Sequence, residues 1–270
     1  MTFETLGNIG SPAVVLIHGM LCTAKDCVPF GKYLADEYFV IMPTLDGHGR
    51  DGTELVSADE EARKIADYLA ENGIKRLALL QGSSMGAEVA LAVLAELETR
   101  GIEVGCTFFD GGPFFDFIPP KRKMMYKVFR KLTRAFDTDD PEKAADELMN
   151  NGFLKFVGGK RTEQFRPMIE SMASERRTFS DTTVQGMVDV CYHCALPIFG
   201  WETQRRMVFF FSKEEPARKS MARLMKAYPK AKYRAIAGYP HCGLQVNKPR
   251  VYAELLGFFI NEINSCKGMI

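Results

Sequence analysis

A serine flanked by glycines offers the clearest chemistry in the sequence. Residues 82–86 read Gly-Ser-Ser-Met-Gly, between the apolar run at 76–80 and a segment with helical spacing. A strand that turns sharply into a helix strains and exposes its apical residue, and small glycines let the neighbouring backbone pass close by. The Oγ of Ser84 would then lie at a helix N-terminus, whose dipole favours developing negative charge. The pattern predicts a nucleophilic serine, or else a glycine-rich turn that carries a serine by chance.

A second motif follows the first apolar run, where residues 16–20 read Leu-Ile-His-Gly-Met. With the serine turn, it resembles the α/β-hydrolase superfamily, in which a His-Gly pair after this strand shapes a loop that gives one backbone N–H to the oxyanion hole. The resemblance implies that the N–H groups of Met20 and Met85 hold the oxyanion, with Leu21 as a less favoured donor. His18 would then be a structural histidine, hydrogen-bonded within this loop.

The resemblance also implies a general base late in the chain, because the order in this fold is serine, acid, histidine. Residues 237–243 read Ala-Gly-Tyr-Pro-His-Cys-Gly after the last apolar run. Of the four histidines, only His241 has the right position. A proline precedes it where the family usually has a glycine. His241 is therefore the predicted base, and an ordinary surface-loop histidine is the alternative.

The acid of the expected triad should follow the apolar run at 207–211. Residues 212–216 read Ser-Lys-Glu-Glu-Pro, where family members commonly have a glycine, two variable residues and an aspartate. This spacing puts Glu215 at the acid position, and glutamate can orient an imidazole although its extra methylene changes its reach. Glu214 and Asp110 remain alternative acids. A further alternative is that the acidic pair only solvates a loop.

Hydrophobic patterning predicts the elements that hold these residues. Short runs rich in β-branched and aromatic residues indicate buried strands at 13–17, 38–42, 76–80, 104–109, 207–211 and 233–236. Helical spacing occurs at 58–72, 85–99 and 249–263, and Ser57 with Glu60 makes a capping box. The alternation predicts an α/β fold with a mostly parallel central sheet flanked by helices, which is the α/β-hydrolase fold that the resemblance implies.

The alternation stops between about Pro113 and Arg206, where helical patterns dominate. We therefore expect a helical cap at 113–206, inserted into an α/β-hydrolase core of residues 1–112 and 207–270. Within the cap, Asp140 is the expected N-cap of a helix that starts at Pro141. Residues 110–113, at the cap entrance, are similar to a family segment that often borders the pocket.

A basic run without acidic residues lies in the expected cap, interleaved with apolar residues at helical spacing. Its cations are Lys121, Arg122, Lys123, Lys127, Arg130, Lys131 and Arg134. The simplest interpretation is an amphipathic helix that packs by its apolar face and leaves its charges in water. Contact with an anionic acyl donor or with a membrane surface is the alternative.

Composition sets further expectations. With 270 residues, 46% hydrophobic and 26% charged, the chain should form a conventional packed core rather than a disulfide scaffold or a disordered chain. A net charge of +1 favours no nucleic-acid partner. Seven cysteines, several in apolar runs, suggest reduced thiols and a cytoplasmic location. The uncharged stretch at 5–24 is too interrupted to span a bilayer or to be a secretory signal, so no stable membrane insertion is expected.

These expectations combine into a serine hydrolase of the carboxylesterase or thioesterase type. It would cleave a small or medium carboxylic ester or thioester through an acyl-enzyme on Ser84, with no metal or organic cofactor. The same fold also hosts acyl transfer, carbon-carbon bond hydrolysis and lyase chemistry, because fold does not fix function. A hydrolase-like protein that binds a ligand without turnover is the third possibility. The residues leave the oligomeric state and the identity of the small acyl substrate open.

Overall fold

The computed structural model describes residues 1–175 and 177–265, and within these residues one seven-stranded sheet forms the centre of the molecule. Its spatial order is β1-β3-β2-β4-β5-β6-β7. β1 pairs antiparallel with β3, and the other neighbouring strands are parallel. The strands are β1 (Thr2–Leu6), β2 (Ala13–Ile17), β3 (Phe39–Thr44), β4 (Arg76–Ser83), β5 (Glu103–Asp110), β6 (Met207–Ser212) and β7 (Lys232–Ile236).

The six predicted strands are confirmed, and β1 was missed. β2 has the expected bounds, whereas β4 continues to Ser83 instead of ending at Leu80. β1 has the sequence Thr-Phe-Glu-Thr-Leu and none of its residues is buried. An edge strand of this kind has no continuous apolar run, which is the signal that identified the others.

Twelve α-helices surround the sheet in the described part of the chain. They are α1 (Val28–Gly31), α2 (Ala58–Glu71), α3 (Met85–Thr99), α4 (Pro119–Thr133), α5 (Pro141–Asn150), α6 (Gly152–Gly158), α7 (Arg166–Ser174), α8 (Asp181–Tyr192), α9 (Trp201–Arg205), α10 (Met221–Ala227), α11 (Gly243–Asn247) and α12 (Pro249–Ser265). Ser57 caps α2 as predicted, since its Oγ accepts a hydrogen bond from Glu60 N, but the Glu60 side chain accepts from Lys64 and does not complete the capping box. Asp140 caps α5.

Helices bury both faces of the sheet. Side chains alternate along each strand, so successive residues contact helices on opposite faces. Val15 and Ile17 pack on the face that α2 and α3 cover. Val14 and Leu16 pack on the opposite face, which α1 and α12 cover. The arrangement confirms the expected α/β fold, and it leaves the carboxyl ends of the parallel strands as the open edge where ligands bind in such sheets.

Helices α4 to α9 lie between β5 and β6, and we call residues 113–206 the helical segment. Its two ends run side by side, with Phe117 N donating to Tyr192 O at 2.8 Å and Cys194 N donating to Phe115 O at 3.0 Å. Arg223 of α10 donates to Cys194 O at 2.9 Å. These bonds form a short paired stem at residues 115–117 and 192–194, and the segment has further contacts with the core, such as Thr107 N donating to Arg206 O at 2.8 Å.

The basic run except Arg134 lies in α4, which packs by its apolar face as the simplest interpretation predicted. Met125, Phe129 and Leu132 are buried. Two of its cations form ion pairs with α8, Arg122 with Asp189 at 3.6 Å and Arg130 with Asp181 at 3.0 Å. The other cations include the exposed Lys123, Lys127 and Lys131.

Six cysteines are free and buried, namely Cys22, Cys27, Cys106, Cys191, Cys194 and Cys242. The seventh, Cys266, lies outside the described residues. No helix within residues 1–175 and 177–265 is long and apolar enough to cross a membrane. In the same part of the chain, no group of three or more His, Cys, Asp or Glu side chains could hold a metal ion.

Candidate active site

The serine turn is a strained junction between β4 and α3. Ser84 has φ of 52° and ψ of −122°, a conformation that residues with side chains rarely adopt. The flanking glycines allow it because other backbone lies too close for a side chain. A Cβ on Gly82 would lie 2.1 Å from Gly86 O, and one on Gly86 would lie 2.3 Å from His18 O. The predicted strand-turn-helix geometry is present, with Ser84 at its apex.

His241 lies between Ser84 and Glu215. Its Nε2 is 2.8 Å from Ser84 Oγ, and its Nδ1 is hydrogen-bonded to Glu215 Oε2. The other carboxylate oxygen, Oε1, accepts a hydrogen bond of 2.6 Å from Ser212 N. Because an ionised carboxylate only accepts hydrogen bonds, we assign the proton to Nδ1 and leave Nε2 as the acceptor facing Ser84. The three side chains are thus placed for transfer of the hydroxyl proton to the imidazole.

Glu215 changes the proton affinity of His241. Burial lowers the pKa of this imidazole, but the charge and hydrogen bond of Glu215 outweigh burial and raise the pKa above its ordinary value, with a smaller contribution from Asp110. A raised pKa makes the neutral ring a better proton acceptor. The site therefore needs a pH above this pKa for the ring to be in its accepting form.

The two alternative acids are placed differently. The side chain of Glu214 is 59% exposed and lies 3.8 Å from Arg161 Nε. Asp110 is buried, and its backbone oxygen accepts a hydrogen bond of 2.7 Å from Ser84 N. Burial and the charge of Glu215 raise the pKa of the Asp110 carboxyl to about 7. Glu215 is the carboxyl group hydrogen-bonded to His241, while the catalytic role of each acid stays a prediction.

The loop after β2 lies against the serine turn. A Cβ on Gly19 would lie 3.3 Å from Ser84 Cβ, so the two backbones are in close contact. Met20 lines the cavity beside Ser84. Met85 is the first residue of α3, where the N–H has no partner within the helix. The expected oxyanion donors therefore lie on either side of Ser84, and their role stays a prediction; Leu21, the less favoured donor, is buried in the same loop.

His18 supports this loop from behind and is fully buried. Its Nδ1 lies 2.7 Å from Gly19 O, and its Nε2 accepts a hydrogen bond of 3.0 Å from Leu45 N. Because Nε2 is the acceptor, Nδ1 carries the proton and donates to Gly19 O. Burial holds the pKa of His18 well below its ordinary value, so the ring is neutral. This is the structural histidine that the sequence predicted.

A cavity of about 570 Å³ opens onto Ser84 and His241. Most of its wall comes from the helical segment and is apolar. Among the described residues that line it, the two with charged side chains are Lys121 and Lys219. An apolar chain could therefore fill the cavity with its reacting carbonyl at the serine. The wall includes Phe115, Phe117, Phe129, Phe153, Phe165 and Ile169.

Two residues beside His241 were not predicted to belong to the site. A Cβ on Gly111 would lie 2.8 Å from His241 Cε1, so only glycine leaves room for the imidazole. The Sγ of Cys242 lies 3.7 Å from His241 Nε2 and lines the cavity. The sequence marked residues 110–113 as a border of the pocket, which was a usable signal for Gly111. The residue type of Cys242 gave no such signal.

Sequence and structure comparisons agree on the family. A model of the Alpha/beta hydrolase family matches residues 14–255, a span that includes Ser84, Glu215 and His241. The chain belongs to this family, and the resemblance found in the sequence is confirmed. No curated protein matches the chain in a sequence comparison.

Solved structures share the fold at low sequence identity. An alpha/beta hydrolase family protein from Desulfitobacterium hafniense is 16% identical with a TM-score of 0.72, over 96% of this chain and 100% of that chain. A thermophilic esterase from Thermogutta terrifontis is 17% identical with a TM-score of 0.70, over 97% and 93%. A bromoperoxidase from Bacillus anthracis is 20% identical with a TM-score of 0.70, over 96% and 94%. These likenesses show the fold and leave the reaction open, because proteins named for different reactions share the fold.

Proposed function

We propose that the protein is a serine hydrolase of the carboxylesterase or thioesterase type that cleaves a small or medium carboxylic ester or thioester. The observation that carries the proposal is the position of His241, in contact with both Ser84 Oγ and Glu215 at the edge of an apolar cavity. A nucleophile, a base and a group that orients the base are sufficient for acyl transfer to water. The steps below use no metal or organic cofactor.

Acylation begins when Ser84 Oγ attacks the carbonyl carbon and His241 Nε2 takes the hydroxyl proton. The carbonyl π electrons move to oxygen, and the N–H groups of Met20 and Met85 stabilise the resulting oxyanion. Glu215 holds Nδ1–H and stabilises the imidazolium that forms. When the carbonyl re-forms, the bond to the leaving oxygen or sulfur breaks, and His241 returns its proton to that atom.

Deacylation repeats the same steps with water. His241 takes a proton from the water as its oxygen attacks the acyl carbon, and the oxyanion again forms between the two N–H groups. Collapse of this intermediate breaks the bond to Ser84 Oγ, which receives the proton from the imidazolium. The acid leaves, and the serine and neutral histidine are restored.

We infer that the acyl chain binds in the apolar cavity and that the helical segment determines which acyl chains fit. In this proposal residues 113–206 form a cap, and residues 1–112 and 207–270 form the catalytic core. The apolar wall residues, such as Phe129 and Ile169, support the assignment because an acyl chain loses its contact with water against them. The buried free thiols support a reducing cytoplasm as the location.

The proposal is tested with 4-nitrophenyl esters of increasing acyl length, with and without an added acceptor alcohol, in wild type and Ser84→Ala. We expect release of the free acid by wild type alone. A product made mainly of the acceptor ester would favour an acyltransferase. A folded wild type that binds the esters without releasing acid would instead favour the non-catalytic alternative.

A further inference from the structure

Arg177, between α7 and α8, is a buried arginine whose hydrogen-bond acceptors among the described residues are all backbone carbonyl oxygens. Arg177 is 3% exposed to solvent. Nη2 donates to Leu21 O at 2.8 Å and to Met172 O at 3.0 Å. Nη1 donates to His48 O at 3.3 Å and to Cys22 O at 3.4 Å. One guanidinium therefore joins three separate stretches of chain behind the cavity.

A buried cation without compensation is costly, so its surroundings indicate why it is kept. The guanidinium carbon lies 5.3 Å from the centre of the Phe136 ring and 5.9 Å from that of Phe179. The ring faces and the carbonyl dipoles replace part of the water that the charge has lost, and the carboxylates of Asp26 and Glu175 also favour the charged guanidinium. The rigid, planar fork of an arginine can reach these four oxygens at once, whereas the single ammonium of a lysine cannot.

The stretch held most directly by Arg177 is also strained. Leu21 has φ of 65°, a left-handed conformation that is uncommon for a residue with a branched side chain. Cys22 N donates to Gly19 O at 3.2 Å, so residues 19–22 form a tight turn with Leu21 at its third position. Turns of this kind favour glycine there. Such strain persists only where surrounding contacts hold it, and Arg177 contacts the carbonyls of Leu21 and Cys22.

We propose that Arg177 is a positioning residue that holds the turn at 19–22 so that the N–H of Met20 faces the oxyanion formed at Ser84. The inference rests on the proposed function, since the oxyanion exists only if Ser84 attacks a carbonyl. The N–H of Met20 belongs to the Gly19–Met20 peptide, whose carbonyl oxygen accepts hydrogen bonds from Cys22 N and from His18 Nδ1. Relaxation of the strained Leu21 backbone would break the bond from Cys22 N and leave this peptide held by His18 alone, so its N–H would turn away from Ser84. The helical segment thereby contributes to the chemistry of the serine as well as to the cavity wall.

The test compares Arg177→Met and Arg177→Lys with wild type on one 4-nitrophenyl ester. We expect kcat to fall about 100-fold in Arg177→Met, the scale of losing one oxyanion donor, while KM changes less than about threefold. Arg177→Lys should recover part of kcat, because its ammonium can still donate to Leu21 O. If the methionine variant does not fold, the lysine variant carries the same test with a smaller expected loss.

A second readout separates positioning from general structural support. A trifluoromethyl ketone forms a hemiketal oxyanion with Ser84, and the alcohol of the same chain cannot. Arg177→Met should weaken the ketone by the same factor as kcat/KM and leave binding of the alcohol unchanged. Arg223→Met is the matched control, because Arg223 donates to the carbonyls of Phe114 and Cys194 at the stem, away from the turn. It should lower the melting temperature without this selective loss.

The inference is overturned if Arg177→Met keeps kcat within about threefold, or weakens ketone and alcohol equally. It is also overturned if Arg223→Met gives the same selective loss. A wild type that hydrolyses no ester would overturn the proposed function and, with it, this inference. An active wild type with an equally active Arg177→Met would overturn the inference alone.

Discussion

The open edge of the sheet and the helical segment meet at one cavity, but they contribute different chemistry. The sheet edge supplies polar groups at fixed distances, such as Ser84 Oγ at 2.8 Å from His241 Nε2. The helical segment supplies mainly apolar surface, such as Phe129 and Ile169, and holds no part of the contact between serine, histidine and glutamate. In the proposed reaction, bond-making depends on the first region and on the hold that Arg177 has on its loop, and the fit of the chain depends on the cavity wall.

The two regions therefore differ in how well they tolerate substitutions. A displacement of one ångström at Ser84 or His241 would break the proton path, since such groups act only at hydrogen-bond distance. In the cavity wall, one apolar side chain can replace another of similar volume at small cost. Substitutions at the sheet edge and substitutions in the cavity wall should therefore alter different kinetic quantities.

The largest effect is expected from the serine itself. Ser84→Ala removes the nucleophile and should lower kcat roughly a million-fold, as loss of this group does in serine proteases. Ser83→Ala is the matched control, because the Ser83 hydroxyl contacts Gln81 and Gln245 rather than His241. Ester hydrolysis by the two purified variants checks this. Comparable activity of both variants would remove Ser84 from the mechanism.

The next effect concerns the acid. Glu215→Gln keeps the size of the side chain but removes the charge that stabilises imidazolium, so kcat should fall about 10³- to 10⁴-fold. Glu214→Gln, one residue away and exposed, should retain most of the activity. Stopped-flow or steady-state ester hydrolysis, with circular dichroism to verify folding, decides between them. The reverse order would assign the acid to Glu214.

The pH profile should separate Glu215 from Asp110. Activity requires neutral His241, so kcat/KM should be lost as the pH falls through the pKa of that ring, which Glu215 raises. Without the charge of Glu215, burial lowers the pKa, and the acidic limb should move to lower pH in Glu215→Gln. Asp110→Asn should move it less and keep the plateau within about tenfold. If Asp110→Asn instead lowers the plateau more than Glu215→Gln does, Asp110 is the acid.

A substitution in the cavity wall should change chain preference and leave the chemistry intact. Ile169→Trp adds volume at a buried wall position on α7, so kcat/KM for an octanoyl ester should fall about tenfold while that for an acetyl ester changes little. Glu170→Gln, on the exposed side of the same helix, is the control. An equal loss for both esters would mean that the wall also positions the serine.

The smallest effect concerns the two cations that line the cavity. Lys121 Nζ lies 3.5 Å from the centre of the Phe117 ring, so its charge is held against the wall. At low salt, the charges of Lys121 and Lys219 should favour the anionic ester 4-(octanoyloxy)benzoate. We expect its kcat/KM to be about two- to fivefold higher than that of the neutral, matched ester 4-(octanoyloxy)benzamide. The double variant with glutamine at both positions should lose this preference, and Lys123→Gln, on an exposed part of α4, should keep it. A preference unaffected by salt would contradict this assignment.

Local sequence patterns were enough to predict which residues meet at the sheet edge. The serine turn requires Gly82 and Gly86 because backbone passes within 2.1 and 2.3 Å of where their side chains would be, and such residues are visible as a motif. Spacing after a strand pointed to Glu215, and Glu215 is the carboxyl group hydrogen-bonded to His241 in the structure, while the choice of acid stays a prediction. β1 was missed because a strand at the edge need not be apolar.

The contacts of Arg177 and the cavity wall depend on long-range packing, so they could not be predicted from the sequence. Arg177 contacts the carbonyl of Leu21, which is 156 residues away in the sequence, and neither residue type indicates such a contact. The cavity wall is similar, because Phe and Met at helical spacing are typical of any packed helix. What the helices enclose is decided by how they pack together over the sheet.

The most direct test is intact-mass labelling with a fluorophosphonate, which transfers its phosphonyl group to an activated serine and releases fluoride. Wild type should gain one phosphonyl group, Ser84→Ala should gain none, and His241→Ala should react far more slowly. This result would establish Ser84 as a nucleophile activated by His241. A folded wild type that stays unlabelled, or a Ser84→Ala variant labelled as fast as wild type, would contradict the account.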